Sequence, residues 1–356
     1  MNEFTKKLGA ALGDTADAAL ILSEANRFYY TGFAASDGAL LVTKTDALFF
    51  TDSRYTEAAE RKLGGAYVRD SAKLYETLAG IFAEKGIASV AVENDRLTLA
   101  EFSLLQKKLP DVRFVSDAAL TDLINEQRGV KTEEEVDKIL AAQHIAEAAF
   151  DHILGFIKPG VTEKELQLEL DYYMLRNGAE GLSFETIAVS GKNSSLPHGV
   201  PSDKKIEIGD FVTMDYGALK YGYHSDMTRT VAVGRVTDKQ KLVYNTVLQA
   251  QLASLEKMCE GVSCEAADKA ARDVIANAGF GAYFGHGTGH GVGVEIHEYP
   301  RVSPKSNATL KAGNVVTAEP GIYLPGKFGV RIEDMALITE TGCRNLTACP
   351  KELIVL

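Results

Sequence analysis

Between residues 18 and 120, short runs of consecutive apolar residues alternate with stretches whose apolar positions recur every third or fourth residue. Runs at 19–22, 39–42, 47–50, 89–92 and 112–115 have strand length, whereas 74–84 and 98–109 carry the helical period. The alternation predicts an α/β N-terminal domain, residues 1–124, with a mixed sheet and helices on its faces. No phosphate-binding loop or other catalytic motif falls within it. Its expected role is that of a cap or oligomerisation domain.

The pattern breaks at Arg128-Gly129-Val130, and a second domain is expected over 125–356. Thr132 with Glu135 forms a capping box, in which the hydroxyl accepts the amide three residues on and the acid reaches back to the cap amide. A long helix follows, with Val136, Ile139, Leu140, Ile145, Ala149, Ile153 and Ile157 on one face, and Lys158-Pro159-Gly160 ends it. Gly160-Val161-Thr162 and Gly261-Val262-Ser263 then each open another helix, the second over 265–278. Each of these precedes a strand that closes on a carboxylate: Gly209-Asp-Phe-Val-Thr-Met-Asp215 returns as Gly313-Asn-Val-Val-Thr-Ala-Glu319. A further acid follows each copy, Asp226 and Glu333. Helix then strand pair, twice, predicts an α+β domain with an internal pseudo-twofold repeat, its helices outside a curved sheet and its acids inside.

Pairing of 219 with 222 across a turn at Lys220-Tyr221 would set Asp215 directly opposite Asp226. A second hairpin across Leu324-Pro-Gly-Lys327 would bring Glu319 toward Glu333. Side-chain parity decides the outcome, because a slip of one residue sends a whole strand's side chains to the other face. Any one acid alone reads as a surface residue; the repeat and its apolar flanks favour convergence. Four anions in one seam require cations.

The chain has 356 residues, 46% of them hydrophobic, and a net charge of −11. Such a balance argues against nucleic acid and anionic membranes as partners, both of which need a basic face. No apolar stretch approaches the roughly 18–20 residues that span a bilayer, and no signal-peptide pattern follows Met1. A cytoplasmic enzyme acting on small substrates is expected. Cys259, Cys264, Cys343 and Cys349 lack metal-site spacing and read as reduced and incidental.

An imidazole ligand is expected from Phe284-Gly-His-Gly-Thr-Gly-His-Gly-Val-Gly-Val-Glu-Ile-His297. Alternating glycines oppose a helix, so His286 and His290 do not read as a helical zinc pair. No strand-turn-helix unit with a downstream acid accompanies the glycines, which excludes dinucleotide binding. The glycines instead let the backbone pass close to metal and substrate. Oxygen-rich ligation with one imidazole suits manganese, cobalt or zinc over calcium. Two divalent ions, sharing bridging carboxylates, balance the charge better than one.

Asp215, Asp226, His290, Glu319 and Glu333, with His-Gly-Val-Gly-x-x-x-His and Glu-Pro-Gly, resemble the five-ligand signature of the pita-bread (creatinase/aminopeptidase-like) metallopeptidases. The two-domain length, His286-Gly-Thr-Gly-His290 and Val330-Arg-Ile-Glu-Asp334 narrow the resemblance to the proline-specific branch, the Xaa-Pro dipeptidases (prolidases) and Xaa-Pro aminopeptidases. It covers residues 125–356 by motif and the first domain by length and pattern. The resemblance implies that Asp215 chelates one metal, that His290 and Glu319 chelate the other, and that Asp226 and Glu333 bridge. It further implies that Glu319 guides a proton, that His198 and His297 contact substrate, and that Arg331 and Arg301 lie near the substrate's carboxyl end. The implied substrates are proline-containing dipeptides or short peptides, and the implied assembly is a homodimer. Methionine aminopeptidase is the alternative enzyme, disfavoured by the extra N-terminal domain; a non-catalytic peptide-binding pita-bread protein is the other.

Overall fold

Strand-length apolar runs become the centre of a mixed sheet in the computed structural model, which describes residues 2–356. The chain divides into a unit ending at Arg128 and a unit spanning Gly129–Leu356. In the first, α1 (Glu3–Ala11), β1 (Ala18–Ile21), α2 (Glu24–Thr31), β2 (Ala39–Thr43), β3 (Ala47–Thr51), α3 (Thr56–Leu63) and β4 (Val68–Asp70) precede α4 (Leu74–Lys85), β5 (Ser89–Val92), α5 (Leu99–Lys108), β6 (Arg113–Val115) and α6 (Ala119–Gly129). The sheet order is β4-β3-β2-β1-β5-β6. Strands β1, β2 and β3 pair antiparallel, while β1–β5, β5–β6 and β3–β4 are parallel. The sequence break at Arg128-Gly129 is the end of helix α6, not a loop. The buried acid Glu93 has a structural account: it accepts from the amides of Leu22 (2.7 Å) and Ser23 (3.0 Å) and from Asn26 Nδ2 (2.7 Å) at the start of α2.

The second unit opens with α7 (Glu133–Leu154), starting at the expected Thr132/Glu135 capping box, and α8 (Glu163–Arg176), starting at a second such box, Thr162/Glu165. Strands β7 (Gly181–Leu182), β8 (Ile187–Ser190), β9 (Phe211–Tyr216), β10 (Ala218–Lys220), β11 (Tyr223–His224) and β12 (Met227–Ala232) follow. Next come α9 (Asp238–Lys257) and α10 (Cys264–Asn277), then β13 (Gly289–Gly291), β14 (Glu298–Val302), β15 (Val315–Ala318), β16 (Gly321–Leu324), β17 (Phe328–Arg331), β18 (Asp334–Thr339) and β19 (Gly342–Asn345). Helix α9 has a sequence signal of its own, the Thr237/Gln240 capping box.

The repeat is visible in backbone hydrogen bonds. Gly160 N donates to Ile206 O (2.9 Å) and Ile206 N to Val161 O (2.8 Å) in the first half; Gly261 N to Leu310 O (2.9 Å) and Leu310 N to Val262 O (2.9 Å) repeat the pair in the second. Each half packs a helix pair on one face of its sheet. Val212, Met214, Tyr216, Met227 and Val231 share a core with α7 and α8, and Val316, Ala318, Ala336 and Ile338 share one with residues of α10. Side chains of opposite parity face the other way, and these include Asp215, Glu319 and Glu333.

The first hairpin differs from expectation by two residues. Lys220 pairs with Tyr223 and Asp215 with Thr228, so the turn is Tyr221-Gly222 and Asp215 does not lie opposite Asp226. Both turn residues have positive φ, 52° and 72°, as a two-residue hairpin turn of right-handed twist demands. Because the shift is even, parity is kept and Asp226 stays on the Asp215 face. Gly222→Ala is expected to lower unfolding free energy by about 1 kcal/mol, the cost of an L-residue in left-handed backbone, as read by urea denaturation; an unchanged midpoint would contradict the turn assignment.

Candidate metal centre

Alternation along β9 buries Met214 and Tyr216 under the helices and leaves Asp215 on the inner face. Asp226 precedes β12, whose Thr228 and Thr230 share its parity. In the second repeat, the pairs Ala318↔Asp334 and Gly321↔Arg331 bracket Glu319 and Glu333 and set those acids across from one another. His290 sits in β13, a strand with no room for side chains at its neighbours: a Cβ on Gly289 would come 2.0 Å from Thr317 O. The glycines therefore serve close backbone packing here, and no helix forms.

Asp226, His290 and Glu333 each offer a ligand atom, all within 4.8 Å of one another. His290 Nε2 lies 3.5 Å from Asp226 Oδ2 and 3.5 Å from Glu319 Oε1. Its Nδ1 is 3.1 Å from Gly291 O, which can only accept, so the ring proton belongs on Nδ1 and the Nε2 lone pair faces the acids. Burial, then the His297 and Arg301 charges, hold His290 down to about 4, so it is neutral and these contacts are not ion pairs.

Burial and the neighbouring acids push Asp226 and Glu333 far above the carboxylate range. Burial likewise raises Glu319 to about 8. Asp215 contributes repulsion to all three. Two buried oxygens, Asp215 Oδ1 and Asp226 Oδ1, have no hydrogen-bond partner. Carboxylate oxygens without hydrogen-bond partners beside a bare imidazole nitrogen are a set of ligand atoms that a divalent cation fits.

A pH prediction follows. A carboxyl raised on folding, here Glu319 from 4.5 to about 8, stabilises the ion-free fold below its unfolded value, and that contribution is lost as pH rises through about 8. Chelated protein should therefore lose Tm between about pH 5 and 8, and divalent cation should restore more at the upper end. A flat or rising Tm for chelated protein across that window would count against the cluster.

Arg331 is buried and its side chain makes four hydrogen bonds within the protein. It donates to Asp215 Oδ2 (2.5 Å), Thr228 Oγ1 (3.0 Å), Tyr323 OH (2.8 Å) and Pro197 O (3.2 Å). Thr228 Oγ1 in turn donates to Glu333 Oε2 (2.7 Å). His286 lies 2.9 Å from Tyr323 OH through Nε2 and 2.8 Å from Gly287 O through Nδ1, so it braces this network and does not join the acids. Burial, with Arg331, holds His286 at about 4 and keeps it neutral. Thr228 and Tyr323 were not legible as site residues; only the true register exposes Thr228.

His297 is exposed, its ring 4.4 Å from that of His290. Arg301 pairs with His290 across β13 and β14 and is also exposed. His198 is exposed on the segment between β8 and β9; its charge acts on His286 and His297.

Two similar halves closing helices around an inward carboxylate–imidazole cluster define a pita-bread hydrolase with the donor set of a metalloenzyme. Residues 137–340 match Metallopeptidase family M24 and residues 6–130 match the Creatinase/Prolidase N-terminal domain. The chain belongs to this metallopeptidase family. It is 39% identical to an Xaa-Pro dipeptidase of Pyrococcus horikoshii over 99% of each chain. The structure of an Xaa-Pro dipeptidase from Bacillus anthracis superposes with TM-score 0.94 at 42% identity, covering 99% of each chain. An X-Pro aminopeptidase from Thermotoga maritima superposes at TM-score 0.89 and 37% identity, over 96% of this chain and 98% of that one. The creatinase-type first domain disfavours the methionine aminopeptidase alternative. Among the described residues no helix is long and apolar enough to cross a membrane.

Proposed function

We infer that this chain is a dinuclear-metal exopeptidase that hydrolyses the Xaa-Pro bond, with dipeptides as preferred substrates. The carrying observation is the Asp226–His290–Glu333 cluster, whose ligand atoms lie within 4.8 Å, with an unpartnered acid oxygen beside it. Asp215 would hold one ion and His290 with Glu319 the other, with Asp226 and Glu333 shared between them. When bound, divalent cations supply Lewis-acid polarisation of an amide carbonyl and a nucleophilic water at neutral pH. Manganese suits four carboxylates and one imidazole; cobalt and zinc are the other candidates.

The protein's own groups then divide the work. Arg331 fixes Asp215, and the Nδ1 contact to Gly291 fixes the His290 tautomer. Glu319, 19% exposed at its side chain against 13% for Asp215, takes the proton of the attacking water and returns it toward the proline nitrogen as the C–N bond breaks. His297 and His198 meet the scissile carbonyl and its tetrahedral successor. Arg331, buried beside Asp215, and exposed Arg301 are the cations on the side of a dipeptide's free carboxylate, and Arg301 is the one open to solvent. The first domain is read as a cap or oligomerisation domain, and a cytoplasmic homodimer as the assembly, testable by sedimentation.

Metal-reconstituted protein should hydrolyse Xaa-Pro faster than Xaa-Pro-Yaa, and Arg301→Ala should raise KM for the dipeptide about tenfold or more, the loss of a charge-assisted contact. Equal rates on both substrates, with KM indifferent to Arg301, would favour the aminopeptidase activity. Failure to hydrolyse either would overturn the assignment.

A further inference from the structure

His198 belongs to a segment, residues 190–202, that has little regular structure beyond one 3₁₀ turn at Gly191–Ser195. Its middle is open to water, with Leu196 56% and Val200 81% exposed. Something other than packing must hold His198 in place. At the base of the segment lies Glu163, the first residue of α8, which is 0% exposed and, among the described residues, faces no Lys or Arg side chain within ion-pair distance.

All the hydrogen bonds to that carboxylate come from the segment. Ser190 donates its amide (2.6 Å) and hydroxyl (3.0 Å) to Oε1. Ser202, at the far end, donates its amide (3.1 Å) and hydroxyl (2.6 Å) to Oε2. Asn193 Nδ2 reaches both oxygens, at 3.1 and 3.0 Å. One acid thus closes the segment at its two ends. A carboxylate's two oxygens, which only accept, suit so many donors. Backbone pairing reinforces the closure, since Glu163 N donates to Lys204 O and Lys164 N to Ser202 O, both at 3.0 Å. The apex is tied to the metal side by Arg331 to Pro197 O and by Gly329 N to Ser194 Oγ (2.9 Å).

We propose that Glu163 is a positioning residue for the peptidase reaction, a buried clasp that sets His198 against the substrate. This rests on the assignment of His198 to substrate contact. Glu163 touches neither metal ligands nor substrate, so its effect must pass through the segment it closes. In Glu163→Gln one acceptor oxygen becomes an NH2 that faces the donors of Ser190, Asn193 or Ser202, and the closure opens at one end.

The experiment is a double-mutant cycle of Glu163→Gln with His198→Ala on the metal-loaded enzyme and an Xaa-Pro dipeptide. Glu163→Gln should keep its full metal content and lose about 10- to 100-fold in kcat/KM, the scale of a misplaced contact group. Added to His198→Ala it should cost little more, because the clasp acts on the reaction chiefly through His198. Ser202→Ala, which removes one donor, should lose less in the same direction and serves if Glu163→Gln does not fold. Full activity in both clasp variants, a loss that multiplies with that of His198→Ala, or metal loss in step with activity would overturn the clasp alone. Full activity in His198→Ala would instead overturn the substrate role of His198, and the clasp with it.

Discussion

Asp226→Asn is expected to fold normally, bind divalent metal poorly and hydrolyse Xaa-Pro at least about 100-fold more slowly, since even partners outside the ligand shell typically cost 10- to 100-fold. Asp226 is 4% exposed and its Oδ1 has no protein partner. Burial, reinforced by Glu333, Asp215 and Glu319, pushes its carboxyl well above the carboxylate range in the ion-free protein and so favours the neutral form. Asparagine mimics that neutral form in size and charge, so the ion-free fold should lose little. What the substitution removes is the anion that cation binding would draw out. Metal analysis and kcat/KM should fall together, while the Tm of chelated protein should stay near that of the wild type. Undiminished hydrolysis would refute a bridging role for Asp226.

The largest expected loss of stability comes from Arg229→Met, about 3–5 kcal/mol, the cost of breaking a buried charge pair from one side. Arg229 Nη2 contacts Asp334 Oδ1 at 2.8 Å, with the two side chains 1% and 0% exposed. The same guanidinium donates to Thr228 O (3.0 Å), Glu333 O (2.6 Å), Cys349 O (2.7 Å) and Pro350 O (3.0 Å). It therefore ties the first repeat's hairpin to the backbone of Glu333 in the second. Asp334 would keep Lys351 (2.7 Å), Gln251 (2.9 Å) and Asn345 (2.7 Å), which softens the penalty without removing it. Denaturant unfolding measures the change, and weaker metal binding through a displaced Glu333 should accompany it. A loss under about 1 kcal/mol, the range of an exposed pair, would mean the network is solvated.

Much of the candidate site could be read along the chain because its signals are local. Asp215 and Glu319 close equivalent strands of a repeated heptapeptide, and the period of two that buries Met214 and Ala318 turns both acids inward. Capping boxes at Thr132 and Thr162 announced their helices through contacts three residues apart. The Asp215–Asp226 register was not legible: Tyr221, a side-chain-bearing residue at positive φ, gives no turn signal of the Asn-Gly kind.

Three arginine and glutamate roles were equally hidden. The hydrogen bonds of Arg331 to Asp215, Thr228 and Tyr323 had no sequence signal; Arg229 and Glu163 carried no motif at all. Periodicity and capping depend on neighbours a few residues away, which the order of amino acids states outright. Whether a charged side chain meets water or another charge depends on burial between segments as distant as 229 and 334. There the removal of solvent turns an ordinary polar residue into a partner that must be satisfied, and only the folded chain supplies it.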